Sequence, residues 1–102
     1  MTAKLNEKFY NRYLLLSDLY EVVEGLTNRR IDMQELANER GLINGQFREA
    51  YSFLHDKGLI NALGKPYQST ITRLGIDAIE DAQRHPEKET AHFPALKEMG
   101  VK

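Results

Sequence analysis

Two short helical patterns follow one another across a turn of only a few residues, and this spacing limits the fold more than any other feature of the sequence. Asp32, with Glu35 three residues later, predicts a capping box that opens the first helix, and Gly41 predicts its end. A second start signal follows almost at once at residues 44–45, and Gly58 predicts the end of that second helix. Its apolar face, at helical spacing, consists of Phe47, Ala50, Tyr51 and Leu54. The pair is a candidate helix-turn-helix.

The N-terminal part of the chain predicts one long helix over residues 5–24, which Gly25 would end. Its apolar residues form two neighbouring stripes. The first stripe consists of Phe9, Tyr13, Leu16, Tyr20 and Val23, and the second of Leu15, Leu19, Val22 and Leu26. Two stripes are more apolar surface than a small domain usually covers by itself. Either the helix is central and wrapped by the others, or the second stripe contacts a second subunit.

After Gly58 the pattern changes from helical spacing to short, partly β-branched runs. Residues 59–63 and 67–71 predict the strands of a β-hairpin, with a Gly-Lys-Pro loop between them. Thr72 predicts the N-cap of a last helix that ends near His85. The apolar side of that helix consists of Leu74, Ala78, Ile79 and Ala82. Residues 28–31 suit an extended connector or a small edge strand, so we expect a mainly α fold with a small β-hairpin.

The prolines near the C-terminus predict the domain organisation. Pro86 begins a polar stretch, so we expect a folded domain at residues 1–85 and an extended tail at residues 86–102, outside the helical core. Phe93 and Leu96 are apolar anchors in this tail. The tail either folds back over the first helix or docks on a partner subunit or another protein.

Composition excludes several classes of protein. The chain has 102 residues, enough for one compact domain, and no cysteine, which removes disulfides, thiolate catalysis and zinc–thiolate sites. No apolar run is long enough to cross a membrane, and the lack of cysteine fits a cytoplasmic protein. A net charge of −1 excludes a polycation that binds nucleic acid by bulk charge. Any DNA binding must therefore depend on the local placement of charge.

The titratable residues do not predict catalysis or metal binding. His55, His85 and His92 lie far apart without acidic partners in metal-ligand register. Carboxylates are plentiful, but none of their pairs is isolated in an apolar setting that would raise a pKa for acid–base chemistry. We therefore expect neither an enzyme nor a cofactor or metal site.

Two short motifs resemble those of the winged helix-turn-helix superfamily. The stretch Leu54-His55-Asp56-Lys57-Gly58-Leu59-Ile60 is similar to the one that closes the recognition helix and enters the wing. The stretch Ile71-Thr72-Arg73-Leu74-Gly75 is similar to the one that follows the wing. The resemblance covers about residues 9–85 and is to small prokaryotic members. It implies a three-helix core, a wing and an additional C-terminal helix, with residues 44–57 as a recognition helix in the DNA major groove.

The resemblance also implies a function, that of a homodimeric transcriptional regulator or accessory factor that binds double-stranded DNA. Asn44 and Gln46 would pair with adenine, Arg48 with guanine, and Ser52 would reach a phosphate or a base edge. Further contacts would come from Lys65 and Gln68 at the wing and from Arg29 or Arg30 near the start of the second helix. The candidate dimer or partner interface consists of Leu15, Leu19, Val22, Phe53, Phe93 and Leu96.

The residues allow a second interpretation, a winged-helix module that binds protein without sequence-specific DNA binding. The recognition helix would have no net charge, because two basic residues balance two acidic ones: Arg48, Lys57, Glu49 and Asp56. Phe53 falls off the apolar face and would suit a protein contact. In this interpretation Asn44 is simply a helix cap, and Gln46 and Arg48 are ordinary solvated side chains.

Overall fold

The computed structural model describes the backbone of residues 3–101 and the side chains from residue 5 onward. The predicted domain at residues 1–85 and the predicted tail at residues 86–102 therefore each extend slightly beyond the described residues, at residues 1, 2 and 102. Its elements are α1 (Ala3–Val23), β1 (Ile31–Asp32), α2 (Met33–Glu39), α3 (Asn44–Asp56), β2 (Ile60–Ala62), β3 (Gln68–Ile71) and α4 (Arg73–Arg84). Within the described residues the fold is mainly helical, with four helices and a small antiparallel sheet. This confirms the predicted mainly α fold with a small β element.

The sheet has three strands in the order β1-β3-β2, so the predicted hairpin gains a third strand. For residues 28–31 the sequence allows either an extended connector or a small edge strand. In the structure an edge strand of two residues, β1, begins at Ile31. It pairs with β3, with Ile31 opposite Ser69 and Asp32 opposite Gln68. Asp32 also caps α2, because its carboxylate accepts a hydrogen bond from the backbone N–H of Gln34 at 2.9 Å. The start of α2 is thereby fixed against the sheet.

Helix α1 is the centre of the molecule and contacts α2, α3, α4 and β3. Leu15, Leu16 and Leu19 are completely buried. The first alternative for the two stripes, a central helix wrapped by the others, is therefore confirmed. The expectation that Leu15 and Leu19 face a second subunit is wrong, because α1 lies inside the core and leaves them no accessible surface. Of the second stripe, Val22 remains 42% exposed.

Helix α4 begins where Thr72 predicts it. The Thr72 hydroxyl accepts a hydrogen bond from the N–H of Gly75 at 3.0 Å and donates one to the carbonyl of Gly58 at 2.6 Å. Leu74 is 58% exposed, so its assignment to the buried side is wrong. The buried side of α4 starts one residue later and consists of Gly75, Ile76, Ala78, Ile79 and Ala82.

The C-terminal segment is part of the core, which corrects the expectation of an extended tail outside it. Phe93 is 1% exposed and Leu96 6% exposed, and Met99 is also buried. The Phe93 ring meets the Tyr13 ring of α1 edge to face, with 5.5 Å between the ring centroids. The prediction that the tail folds back over the first helix is thus confirmed. Phe93 and Leu96 are wrong as partner contacts, because the chain's own core already covers them.

Candidate nucleic-acid interface

Three of the residues that sequence predicts to contact DNA lie on one exposed face of α3. Asn44, Arg48 and Ser52 are four residues apart and are all exposed, so they lie one above another along the helix. The opposite face of α3 is buried against the core through Phe47, Ala50 and Leu54. The exposed face therefore offers an amide, a guanidinium and a hydroxyl, which are donors and acceptors suited to base edges and phosphates.

Gln46 does not belong to this face. Its side-chain oxygen accepts a hydrogen bond from the backbone N–H of Ile43 at 3.1 Å. Its amide nitrogen donates one to Glu7 at 3.0 Å. Gln46 thus helps to cap α3 and ties it to α1, and its role as an adenine contact stays a prediction. The N-cap position itself belongs to Ile43, so Asn44 is the first residue of α3 and not its cap.

A cluster that the sequence did not reveal joins α1 to the back of α3. The Nε of Arg12 donates hydrogen bonds to both carboxylate oxygens of Glu49, each at 3.1 Å. The same guanidinium lies over the Phe53 ring at 4.0 Å and over the Phe9 ring at 4.7 Å. Phe53 is consequently half-buried between α1 and α3, which corrects its expected role as a free protein-contact residue. The cluster links residues 37 positions apart, and no local pattern in the sequence signals such a pair.

This cluster changes the charge that α3 presents to solvent. Glu49 is neutralised by Arg12, whereas Arg48 has no ion-pair partner among residues 3–101. The first turn of α3 contains no acidic residue of its own, and the Glu7 carboxylate of α1 lies 3.0 Å from the side-chain nitrogen of Gln46 in that turn. Asp56 lies at the other end of the helix, 3.7 Å from the His55 ring nitrogen. The balanced charge count therefore does not describe the exposed face, where Arg48 carries a positive charge that is unpaired within the described residues.

Lys65 lies exposed in the loop between β2 and β3, and aromatic packing holds that loop beside α3. The Tyr67 ring packs edge-on against Phe47 and Tyr51, with centroid distances of 4.8 and 5.2 Å. Tyr67 has a φ of +60°, a conformation that L-residues seldom adopt, so this packing sustains some backbone strain. Gln68 follows at the start of β3 and is half-buried. The loop thus flanks the exposed face of α3.

Arg29 and Arg30 lie at the opposite end of the sheet. Because β1 runs antiparallel to β3, the residues before Ile31 lie toward the Ile71 end of β3, whereas the Lys65 loop lies at the Gln68 end. Arg29 is 3.7 Å from Glu24, and both side chains are exposed. The structure therefore does not bring these two arginines together with the Lys65 loop.

The chain was compared with protein-family models, with curated proteins and with solved structures, and none matches. Along the part of the chain that the structure describes, no helix is both long and apolar enough to cross a membrane.

Proposed function

We propose that this chain is a winged helix-turn-helix protein that binds double-stranded DNA through the exposed face of α3 and acts as a non-catalytic, homodimeric regulator or accessory factor. The observation that carries the proposal is the unpaired positive charge of Arg48 on that face. Arg48 is unpaired within residues 3–101, while the neighbouring Glu49 is held by Arg12 on the far side of the helix. Counterion release from phosphates is the main source of affinity for DNA, so an uncompensated arginine on an exposed helix is the required feature.

The order of elements also supports this proposal. Helices α2 and α3 are joined by a turn of four residues, β2 and β3 form a hairpin directly after α3, and β1 adds the third strand. In winged-helix docking the second helix of the pair enters the major groove while the hairpin loop meets the backbone or the minor groove. The loop at residues 63–67 flanks α3 as this arrangement requires.

The proposal assigns a role to each exposed group. Arg48 would donate two hydrogen bonds to guanine, and Asn44 would pair with adenine. Ser52 and Lys65 would contact phosphates, which set the position on the duplex and carry no sequence information. Since the whole chain has a net charge of −1 and few cationic groups would meet phosphates, we expect weak non-specific affinity with a shallow dependence on salt.

The test is a fluorescence anisotropy titration of labelled duplexes of mixed sequence at low salt. Arg48→Ala should weaken binding by about 5- to 150-fold, the loss typical of one specific arginine contact of roughly 1–3 kcal/mol. The matched control is Arg73→Ala, which removes an equal charge from α4, where Arg73 already pairs with Asp77 at 3.3 Å. It should leave binding almost unchanged.

Two results would contradict the proposal. One is the absence of binding to any duplex at low salt. The other is an equal loss in the Arg48→Ala and Arg73→Ala variants, because a general charge effect would then explain the data. The alternative function, a protein-binding module, has less support because the residues assigned to it, Phe53, Phe93 and Leu96, pack within the chain itself.

A further inference from the structure

An acidic cleft lies between α1 and α2, away from the exposed face of α3. Its volume is about 300 Å³, and it is lined by Asp18, Glu21, Val22, Leu36, Glu39 and Arg40. Arg40 neutralises Asp18 through two hydrogen bonds of 2.6 and 2.7 Å. Glu21 and Glu39 are exposed and have no ion-pair partner among the side chains of residues 5–101. The cleft therefore combines the exposed apolar side chain of Val22, above the buried Leu36, with a net negative rim.

The segment directly after α1 has the complementary chemistry. Leu26 is 51% exposed and is followed, across two polar residues, by the exposed Arg29 and Arg30. Arg30 has no ion-pair partner within residues 3–101, and Arg29 meets only the 80% exposed side chain of Glu24 at 3.7 Å. Residues 26–30 thus present an apolar side chain and two available positive charges beside the cleft that Val22 lines.

We propose that the cleft is occupied by residues 26–30 of a second copy of this chain, and that the two copies form a symmetric dimer in which each segment docks on the other's cleft. Leu26 would contact Val22, and the two arginines would pair with Glu21 and Glu39. A surface that carries both halves of a complementary pair side by side suits a two-fold axis, because the same contact then forms twice. This interface identifies the dimer surface within the proposed function, and it does not depend on DNA binding.

The experiment uses two charge-reversed variants of the full chain. Glu21→Lys with Glu39→Lys makes the cleft basic, and Arg29→Glu with Arg30→Glu makes the segment acidic. Each variant alone should dimerise at least about tenfold more weakly than the natural sequence, because like charges then face each other in both contacts. An equimolar mixture should restore dimers, because the basic cleft meets an acidic segment and the acidic cleft meets a basic one. Sedimentation velocity and native mass spectrometry would measure both effects.

Further variants test the apolar part of the contact. Val22→Asp should weaken the dimer, whereas Leu74→Asp, which alters an exposed apolar residue on α4, should not. Circular dichroism establishes that each variant is folded. A natural sequence that stays monomeric up to about 1 mM, or a mixture that does not restore dimers, would overturn the proposal. A monomer that binds DNA overturns this interface alone, and a dimer that binds no duplex overturns the DNA proposal alone.

Discussion

At the scale of single residues, Arg12 connects the core to the proposed binding face. The Arg12 side chain is only 12% exposed. Its guanidinium forms an ion pair with the Glu49 carboxylate and lies against the rings of Phe9 and Phe53. A charge buried to this extent is stable only while its partner is present. The pair therefore both stabilises the packing of α3 on α1 and removes a negative charge from the neighbourhood of Arg48.

Arg12→Ala should lower the free energy of unfolding by about 2 kcal/mol, because it leaves the Glu49 carboxylate partly buried without a partner and removes the packing on Phe53. Urea denaturation measures this loss. Arg73→Ala is again the control, since the exposed Arg73–Asp77 pair should contribute less than about 0.5 kcal/mol. Equal losses of unfolding free energy in the two variants would show that the Arg12 cluster stabilises the fold no more than an exposed ion pair does. Arg12→Ala should also weaken DNA binding, since it frees the charge of Glu49.

At the scale of elements, α4 packs on the sheet through a residue without a side chain. A Cβ at Gly75 would overlap the carbonyl oxygen of Leu59 and would lie 2.9 Å from Cγ1 of Ile71. The backbone of α4 therefore approaches the start of β2 more closely than any other residue type allows. This close approach sets the position of the hairpin relative to the helices, and hence of the Lys65 loop beside α3.

Gly75→Ala should destabilise the protein by about 2 kcal/mol, although alanine is intrinsically the better helix former by about 1 kcal/mol. The control is Gly45→Ala in α3, where nothing lies within 4 Å of the new Cβ, and it should leave stability unchanged or slightly raised. Thermal unfolding of both variants measures the difference. If Gly75→Ala were as stable as Gly45→Ala, the close contact between α4 and Leu59 would be refuted.

At the scale of the whole molecule, the C-terminal segment completes the core, and a histidine lies within it. His92 is half-buried beside Phe93, close to the end of α3. Burial lowers the pKa of the His92 imidazole below its ordinary value of 6.5, and the positive charge of Lys57 lowers it further. A protonated His92 is therefore less favourable in the folded chain than in the unfolded one.

The sign of the pH dependence follows from linkage. Since the pKa of His92 is lower in the folded state, the unfolded state binds more protons as the pH falls below 6.5. The contribution of His92 to stability should be fully present above that pH and should decrease as the pH falls through the lowered pKa. Urea denaturation between about pH 5 and 8 should show that the free energy of unfolding falls less with decreasing pH in His92→Gln than in the natural sequence. An unchanged slope for His92→Gln would contradict the assignment.

The sequence by itself determined the local elements of this protein. Helix caps, helix ends and the change of apolar period are read from neighbouring residues, so Asp32, Thr72 and Gly58 marked the elements correctly. The predictions for Phe53 and for the polar C-terminal stretch were wrong for the same reason. Local sequence does not show which distant residues pack against a side chain, and here such residues cover both.

Only the tertiary structure decided which side chains are accessible. The docking of α1 against α3 brought Arg12 to Glu49 across 37 positions, buried Leu15 and Leu19, and left Arg48 exposed on α3 and unpaired among the described residues. The folding of the C-terminal segment over α1 likewise covered Phe93. Burial and ion pairing depend on which elements pack against each other. The spacing of residues along the sequence shows which side chains share a face of a helix or strand, but it does not show which other element that face contacts.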